Sequence, residues 1–186
     1  MAEDTPLYFN CMNESGLAAG GLLFAGFAEY EAKSVEGKLT VMNFWFATCK
    51  PCVGELGDLE NPNKELAEKG GQVVGVNSFT LDGNKDEIAD AKDVLSKKGV
   101  TYKNIWFKSE SEAGKFTSNL FSFPTIYVID QNGNIVGEPI VGAISSAEQR
   151  AALDKLIDRR LRDAALPCPF LGKGSVILRK EFLVKP

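Results

Sequence analysis

The chain has 186 residues, 44% of them hydrophobic and 25% charged, and a formal net charge of −4 at pH 7. This is the balance of an ordinary globular protein with room for one sizeable core, and without blocks of like charge it excludes the electrostatic footprint of a nucleic-acid or anionic-membrane binder. Histidine is absent, which excludes Ser-His-Asp and Cys-His catalysis and removes the commonest transition-metal ligand.

Residues 1–21 read as a glycine-rich extension without a clear period. The acidic start MAEDT is not that of a signal peptide, and the apolar run Gly16 to Ala28 is too short and too rich in glycine to span a bilayer. The expectation is a cytosolic start or a targeting segment absent from this chain. "LLFAGFAEYEAK" (Leu22 to Lys33) reads as one or two short strands, followed by a turn at Ser34 to Lys38. "LTVMNFWFA" (Leu39 to Ala47) is short, apolar and rich in β-formers, the signature of a strand buried on both faces. Cys49 to Lys69 reads as a helix with Leu56, Leu59 and Leu66 inward. Pro62 should kink or interrupt it, and Gly70-Gly71 should end it.

"QVVGVNSF" (Gln72 to Phe79) is a second buried strand. Leu81 to Gly99 reads as a helix, with Asn84 as N-cap, Glu87 three residues on, a stripe of Ile88, Ala91 and Leu95, and Gly99 as the stop. Tyr102 to Phe107 is a short strand and Glu110 to Phe121 a helix. Two apolar runs around Asn132-Gly133 predict a hairpin. Ser145 and Glu148 suit a capping box for a helix lined by Leu153, Leu156, Ile157 and Leu161. Beyond Arg162, two prolines precede "SVILRKEFLV", which reads as an edge strand. The alternation of strands and helices predicts parallel pairing with crossover helices, and the hairpin adds antiparallel strands. The expected class is α/β, with a mixed central sheet and helices on both faces.

Chemistry concentrates in "NFWFATCKPC" (Asn43 to Cys52). Metal binding by Cys49 and Cys52 lacks a second ligand pair, since Cys11 and Cys168 are isolated. As a structural staple the pair closes too small a loop to remove much entropy from the unfolded chain. A redox pair accounts for more. Cys49 falls at a helix N-terminus, where free N–H groups favour a thiolate. Pro51 suits the first helical turn, and Cys52 lies one turn further in. A C-x-x-C beside a βαβ pattern is a specific redox signal.

"VMNFWFATCKPCVGEL" followed by "FPTIYVIDQNGNIV" resembles the thioredoxin superfamily, and within it the TlpA/ResA-type thiol-disulfide oxidoreductases. The resemblance covers about Leu39 to Leu161. It implies a thioredoxin-like fold, with Cys49 as the attacking cysteine, Cys52 as the resolving one and Pro124 as a cis-proline facing the pair. Where thioredoxins proper carry a buried Asp, this chain has Asn43. Glu55 matches a family glutamate, and its place three residues after Cys52 puts both on one helix face, where a carboxylate suits the proton chemistry of the pair; a solvated helix glutamate is the alternative. Thr48 stands where the family has Trp, and Phe123 precedes Pro124 where a smaller residue is common. Thr48, Lys50, Pro51 and Phe123 are therefore the expected substrate groove.

The expected function is disulfide exchange with protein thiols and disulfides. An upstream electron donor or acceptor is expected, without cofactor, metal or nucleic acid. The chain is expected to act as a monomer in a bacterial extracytoplasmic space, with the cytoplasm left open. The rivals are a thiol peroxidase on the same fold and a non-catalytic binding module. The expected layout is an extension at 1–21, a thioredoxin-like domain at 22–162 and a tail at 163–186. A Cys11–Cys168 bridge and two unpaired thiols both stay open.

Overall fold

The computed structural model describes residues 27–29, 37–131 and 133–165. Cys11, Cys168 and the strand expected in the tail lie outside them, as does most of the first 36 residues. The described elements are β1 (Phe27–Glu29), β2 (Thr40–Trp45), α1 (Lys50–Glu55), α2 (Glu60–Glu68), β3 (Gln72–Asn77), α3 (Lys85–Lys97), β4 (Lys103–Trp106), α4 (Glu112–Ser118), β5 (Thr125–Ile129), β6 (Ile140–Val141) and α5 (Ala147–Ala165). The last helix runs past Arg162.

The strands form one mixed sheet in the order β1-β4-β3-β2-β5-β6. β2 pairs parallel with β3, β3 with β4 and β4 with β1, while β5 runs antiparallel to β2 and to β6. β2 lies inside the sheet with all six residues buried, as its largely apolar sequence requires. Its side chains alternate between two cores. Val41 packs with Leu66 of α2 and Leu153 and Ile157 of α5, and Trp45 packs with Cys52 of α1 and Ala91 and Leu95 of α3. Met42 and Phe44 point to the other face, against Ala113 and Phe116 of α4. The sheet thus carries helices on both faces, in the thioredoxin-like arrangement.

Three local expectations change. The helix expected from Cys49 to Lys69 is two helices separated by a turn at Leu56–Leu59. The break precedes Pro62, which sits third in α2, where its missing N–H has no carbonyl to lose. The Asn63 N–H, one residue on, donates to the Leu59 carbonyl at 3.0 Å. Two weak helix formers mark the break instead, Gly54 at the end of α1 and Gly57 within the turn. Leu56, Leu59 and Leu66 are all buried as expected. The hairpin forms only in part: Val136 N donates to Val128 O at 2.8 Å and Ile129 bridges Ile135, but the chain then leaves the sheet and returns for two residues at β6. Gly137, at φ +69°, and Pro139 cannot continue a regular ladder. Finally, α5 begins one residue later than a Ser145 cap would set. The Arg150 N–H donates to the Ser146 carbonyl, so Ser146 occupies the cap position. Asn84 does cap α3, accepting from the N–H groups of Asp86 and Glu87.

One glycine positions the floor of the cysteine pair. Gly75 lies between Asn43 of β2 and Asn104 of β4, and a Cβ there would stand 2.0 Å from Asn104 Oδ1. That oxygen accepts from the buried Trp45 indole N–H at 3.1 Å. Gly75→Ala must therefore displace the Asn104 amide and leave the indole unpartnered. The expected cost is about 2–4 kcal/mol, a fall in melting temperature of at least about 5 °C. Thermal unfolding followed by circular dichroism checks this, and an unchanged midpoint contradicts it.

Candidate active site

The site grows from the junction of β2 and α1. After Trp45 the chain turns, the Cys49 N–H donating to the Phe46 carbonyl at 3.1 Å. Cys49 then caps α1, its Sγ accepting from the Cys52 N–H at 3.3 Å. Pro51 occupies the first turn of the helix. Cys49 and Cys52 are joined by a disulfide with Cα atoms 5.3 Å apart. The helix behind Cys49 has only six residues, so the local N–H groups, rather than a long helix dipole, are what favour negative charge on its sulfur.

The two sulfurs differ in access. Cys49 is 7% exposed and Cys52 is 0% exposed. Thr48, Lys50 and Pro51 are exposed around Cys49. Beneath the pair lie Trp45, Leu56, Ala91 and Leu95, with Phe123 packed against the same cluster. The Phe123–Pro124 peptide bond is cis. Pro124 itself is buried, and its carbonyl accepts from Gly142 N at 2.9 Å. The structure thus gathers Cys49, Cys52 and Phe123 in one cluster, with Thr48, Lys50 and Pro51 on its rim.

Glu55 is fully buried one turn after Cys52. Its Oε2 accepts from the Ile144 N–H at 2.8 Å, whereas Oε1 has no hydrogen-bond partner. Burial pushes its pKa up to about 7 from an ordinary 4.5. The Ile144 N–H pulls it back in part, the nearby Asp58 charge raises it, and the Asn43 amide lowers it. Asn43 lies against the carboxyl without a bond of hydrogen-bonding length, so that its Oδ1 and Nδ2 are both unpartnered. A protonated Glu55 can donate to that Oδ1. Tyr102 completes the buried group: its hydroxyl donates to the Leu56 carbonyl at 3.3 Å, and burial, with the Glu55 and Glu60 charges, raises its pKa.

Ile144 and Tyr102 carried no signal in the sequence, because each reaches Glu55 from a distant element. Asn43 did carry one, as the only amide in an otherwise apolar strand core. Among the described residues, no group of three or more His, Cys, Asp or Glu side chains is placed to hold a metal ion.

A disulfide at a strand–helix junction, opposite a cis-proline segment on a mixed sheet of this order, defines a thioredoxin-like redox protein. The chain belongs to the AhpC/TSA family, which matches residues 22–137. It is 29% identical over 122 residues to the thioredoxin-like protein YneN of Bacillus subtilis, covering 66% of this chain and 67% of that one. It is 28% identical over 126 residues to the thiol-disulfide oxidoreductase ResA of Bacillus anthracis, covering 68% of each. In fold it is similar to a crystal structure of a thiol:disulfide interchange protein from Chlorobium tepidum, with a TM-score of 0.54 at 23% identity over 71% of this chain and 86% of that one. These relatives bear out the resemblance carried by the two sequence motifs. A further match, 49% identical over 43 residues to a bile salt hydrolase/transferase of Bifidobacterium longum, covers 23% of this chain and 14% of that protein; so short a share carries no activity to this chain.

Proposed function

We propose that this protein is a thiol-disulfide oxidoreductase that exchanges disulfides with cysteines of other proteins. The observation that carries this reading is the unequal access of a bonded cysteine pair: Cys49 reaches the surface and Cys52 does not. In the oxidising direction, a substrate thiolate attacks Cys49 Sγ. The Cys49–Cys52 bond breaks, and its electron pair leaves on Cys52 Sγ, which takes up a proton. A second substrate thiolate attacks the substrate sulfur of the mixed disulfide and releases Cys49 as a thiolate. Two electrons have then passed from substrate to the pair; the reducing direction is the reverse. Glu55, near neutrality in its proton affinity, is suited to hold the proton that Cys52 gains and loses. Phe123 and Pro124 form the facing segment, and Thr48, Lys50 and Pro51 the rim a substrate meets first. Lys50 is exposed, so its charge adds little to Cys49.

An upstream dithiol or disulfide protein must reset the pair. An oxidising, extracytoplasmic compartment suits a pair kept as a disulfide; recovery of the protein from the cytosol of its source cells in the dithiol form would contradict that location.

The reduced chain, treated with limiting iodoacetamide, should be labelled on Cys49 in preference to Cys52. It should also reduce insulin disulfides stoichiometrically. Preferential labelling of Cys52 overturns the assignment of roles. Consumption of alkyl peroxide with no insulin reduction would replace this reading with thiol peroxidase activity.

A further inference from the structure

Beside the cysteine pair stands a row of aromatic side chains whose outer end neither the core nor the exchange chemistry requires. Phe46, in the turn between β2 and α1, stacks on Phe79, which follows β3, with ring centroids 4.7 Å apart and planes 22° from parallel. On another side Phe46 meets Phe123 edge-on at 5.2 Å. Phe46 and Phe123 both pack against the cluster that holds Cys49 and Cys52. The row therefore starts at the disulfide and runs outward. At its outer end Phe79 is 49% exposed. Phe121, two residues before Phe123, is 96% exposed.

Large exposed aromatics joined to a reactive site are unusual on a soluble surface, and they mark places where apolar partners dock. Core packing accounts for the half-buried Phe46 and Phe123 but not for Phe79, half of whose surface faces solvent. Phe46 holds Phe79 in a stacked geometry, so little side-chain entropy remains to be lost on binding. Aromatic faces and edges prefer other aromatic rings over a small polar side chain.

We propose that the Phe79–Phe46–Phe123 row is the specificity surface of the exchange site, and that it takes an aromatic side chain flanking the reactive cysteine of a polypeptide substrate. This rests on the exchange reading, because the row gains its meaning from its continuity with Cys49. Phe46 and Phe123 position the surface and Phe79 makes the outer contact. Such a surface would bias exchange towards cysteines in aromatic-rich segments, which are exposed before a protein has folded.

The test uses the full chain, fully reduced, in single turnover. Its dithiol reduces one disulfide while becoming oxidised, so no further reductant is needed. Three substrates are compared: a homodimeric peptide disulfide with Phe beside its Cys, the same peptide with Ser in that place, and hydroxyethyl disulfide. The Phe peptide should react about tenfold faster than the Ser peptide, the scale of one good aromatic contact. In Phe79→Ser that ratio should fall to within about twofold, and Phe79→Leu should hold an intermediate ratio. Equal rates for the two peptides with the wild-type chain overturn the proposal, whatever the variants do. So does a Phe79→Ser chain that slows both peptides alike and keeps the ratio, since that is a structural role. If even hydroxyethyl disulfide is left unreduced, the exchange reading itself falls and takes the specificity surface with it.

Discussion

Cys49→Ser should abolish disulfide exchange, with a loss of at least about three orders of magnitude in the rate of insulin reduction, because a hydroxyl at this position gives neither a thiolate nor a disulfide. Cys52→Ser should behave differently. Cys49 is the accessible sulfur and keeps its place as cap of α1, so attack still occurs. The missing partner cannot resolve the product, and a mixed disulfide with the substrate should accumulate. Non-reducing electrophoresis after mixing with a disulfide-bonded protein separates the two variants: a higher-mass adduct that dithiothreitol dissolves is expected for Cys52→Ser alone. An adduct formed by Cys49→Ser instead would mean that Cys52 is the entering residue. Full exchange by either variant would mean that the pair is not the site of reaction. The fold should survive both changes: Cys49→Ser keeps an acceptor at the cap of α1, and the buried hydroxyl of Cys52→Ser can donate to a backbone carbonyl one turn back.

Glu55→Gln should change how stability depends on pH, and by more than any surface carboxylate does. In the folded chain Glu55 keeps its proton to about pH 7, against an ordinary 4.5. Between those values the folded state binds more protons than the unfolded state, so stability falls as pH rises. The contribution of this group is whole below about pH 4.5 and gone above about pH 7. An interval of about 2.5 pH units, at about 1.4 kcal/mol per unit, amounts to about 3 kcal/mol. Gln keeps the acceptor for the Ile144 N–H and offers an N–H to the unpartnered Asn43 Oδ1, without a charge to bury. Relative to wild type, the variant should therefore gain up to about 3 kcal/mol on going from pH 4.5 to 8. Urea unfolding of both oxidised proteins at the two pH values measures the difference. The same difference at both values would show that this carboxyl has the same proton affinity in the folded and unfolded chain, and so no raised pKa.

The redox pH profile is a second readout of the same residue. Because Glu55 lies one turn from Cys52, its charge should raise the proton affinity of that thiol, and the two should titrate as a coupled system. Glu55→Gln should flatten the profile of exchange between about pH 5 and 9. An unchanged profile with an altered stability slope would make Glu55 a buried structural acid rather than part of the proton chemistry.

Features built by near neighbours in the chain were legible from local pattern. The largely apolar run Val41 to Trp45 required a doubly buried strand, because any other placement would leave a row of large apolar side chains in water. Cys49, Pro51 and Cys52 at the start of the next helix placed a pair of sulfurs at a strand–helix junction, since spacing along a helix translates directly into direction in space. Asn84 announced the start of α3 because a cap is a bond between near neighbours. The alternation of strands and helices led to the mixed sheet for a similar reason: short crossovers leave few topologies. The break between α1 and α2 was misplaced at Pro62 because a proline signals a boundary without saying on which side of the first turn it falls.

Features that join residues far apart in the chain came from folding alone. Glu55 is a buried acid with a raised pKa because Ile144, 89 residues away, supplies its one hydrogen bond and β2 brings Asn43 against it. A helix position three residues after Cys52 is compatible equally with a solvated glutamate, so the desolvation that matters here is invisible in the sequence. The closing arm of the hairpin shrank to β6 because Gly137 and Pro139 deny it a ladder that the apolar residues on either side favour. Phe46, Phe79 and Phe123 lie in three separate loops, and their ring contacts arise from the order of strands in the sheet. Local chemistry wrote the reactive pair into the chain, while the proton affinity beneath it and the aromatic surface beside it come from packing, which sums contacts that no single stretch of sequence contains.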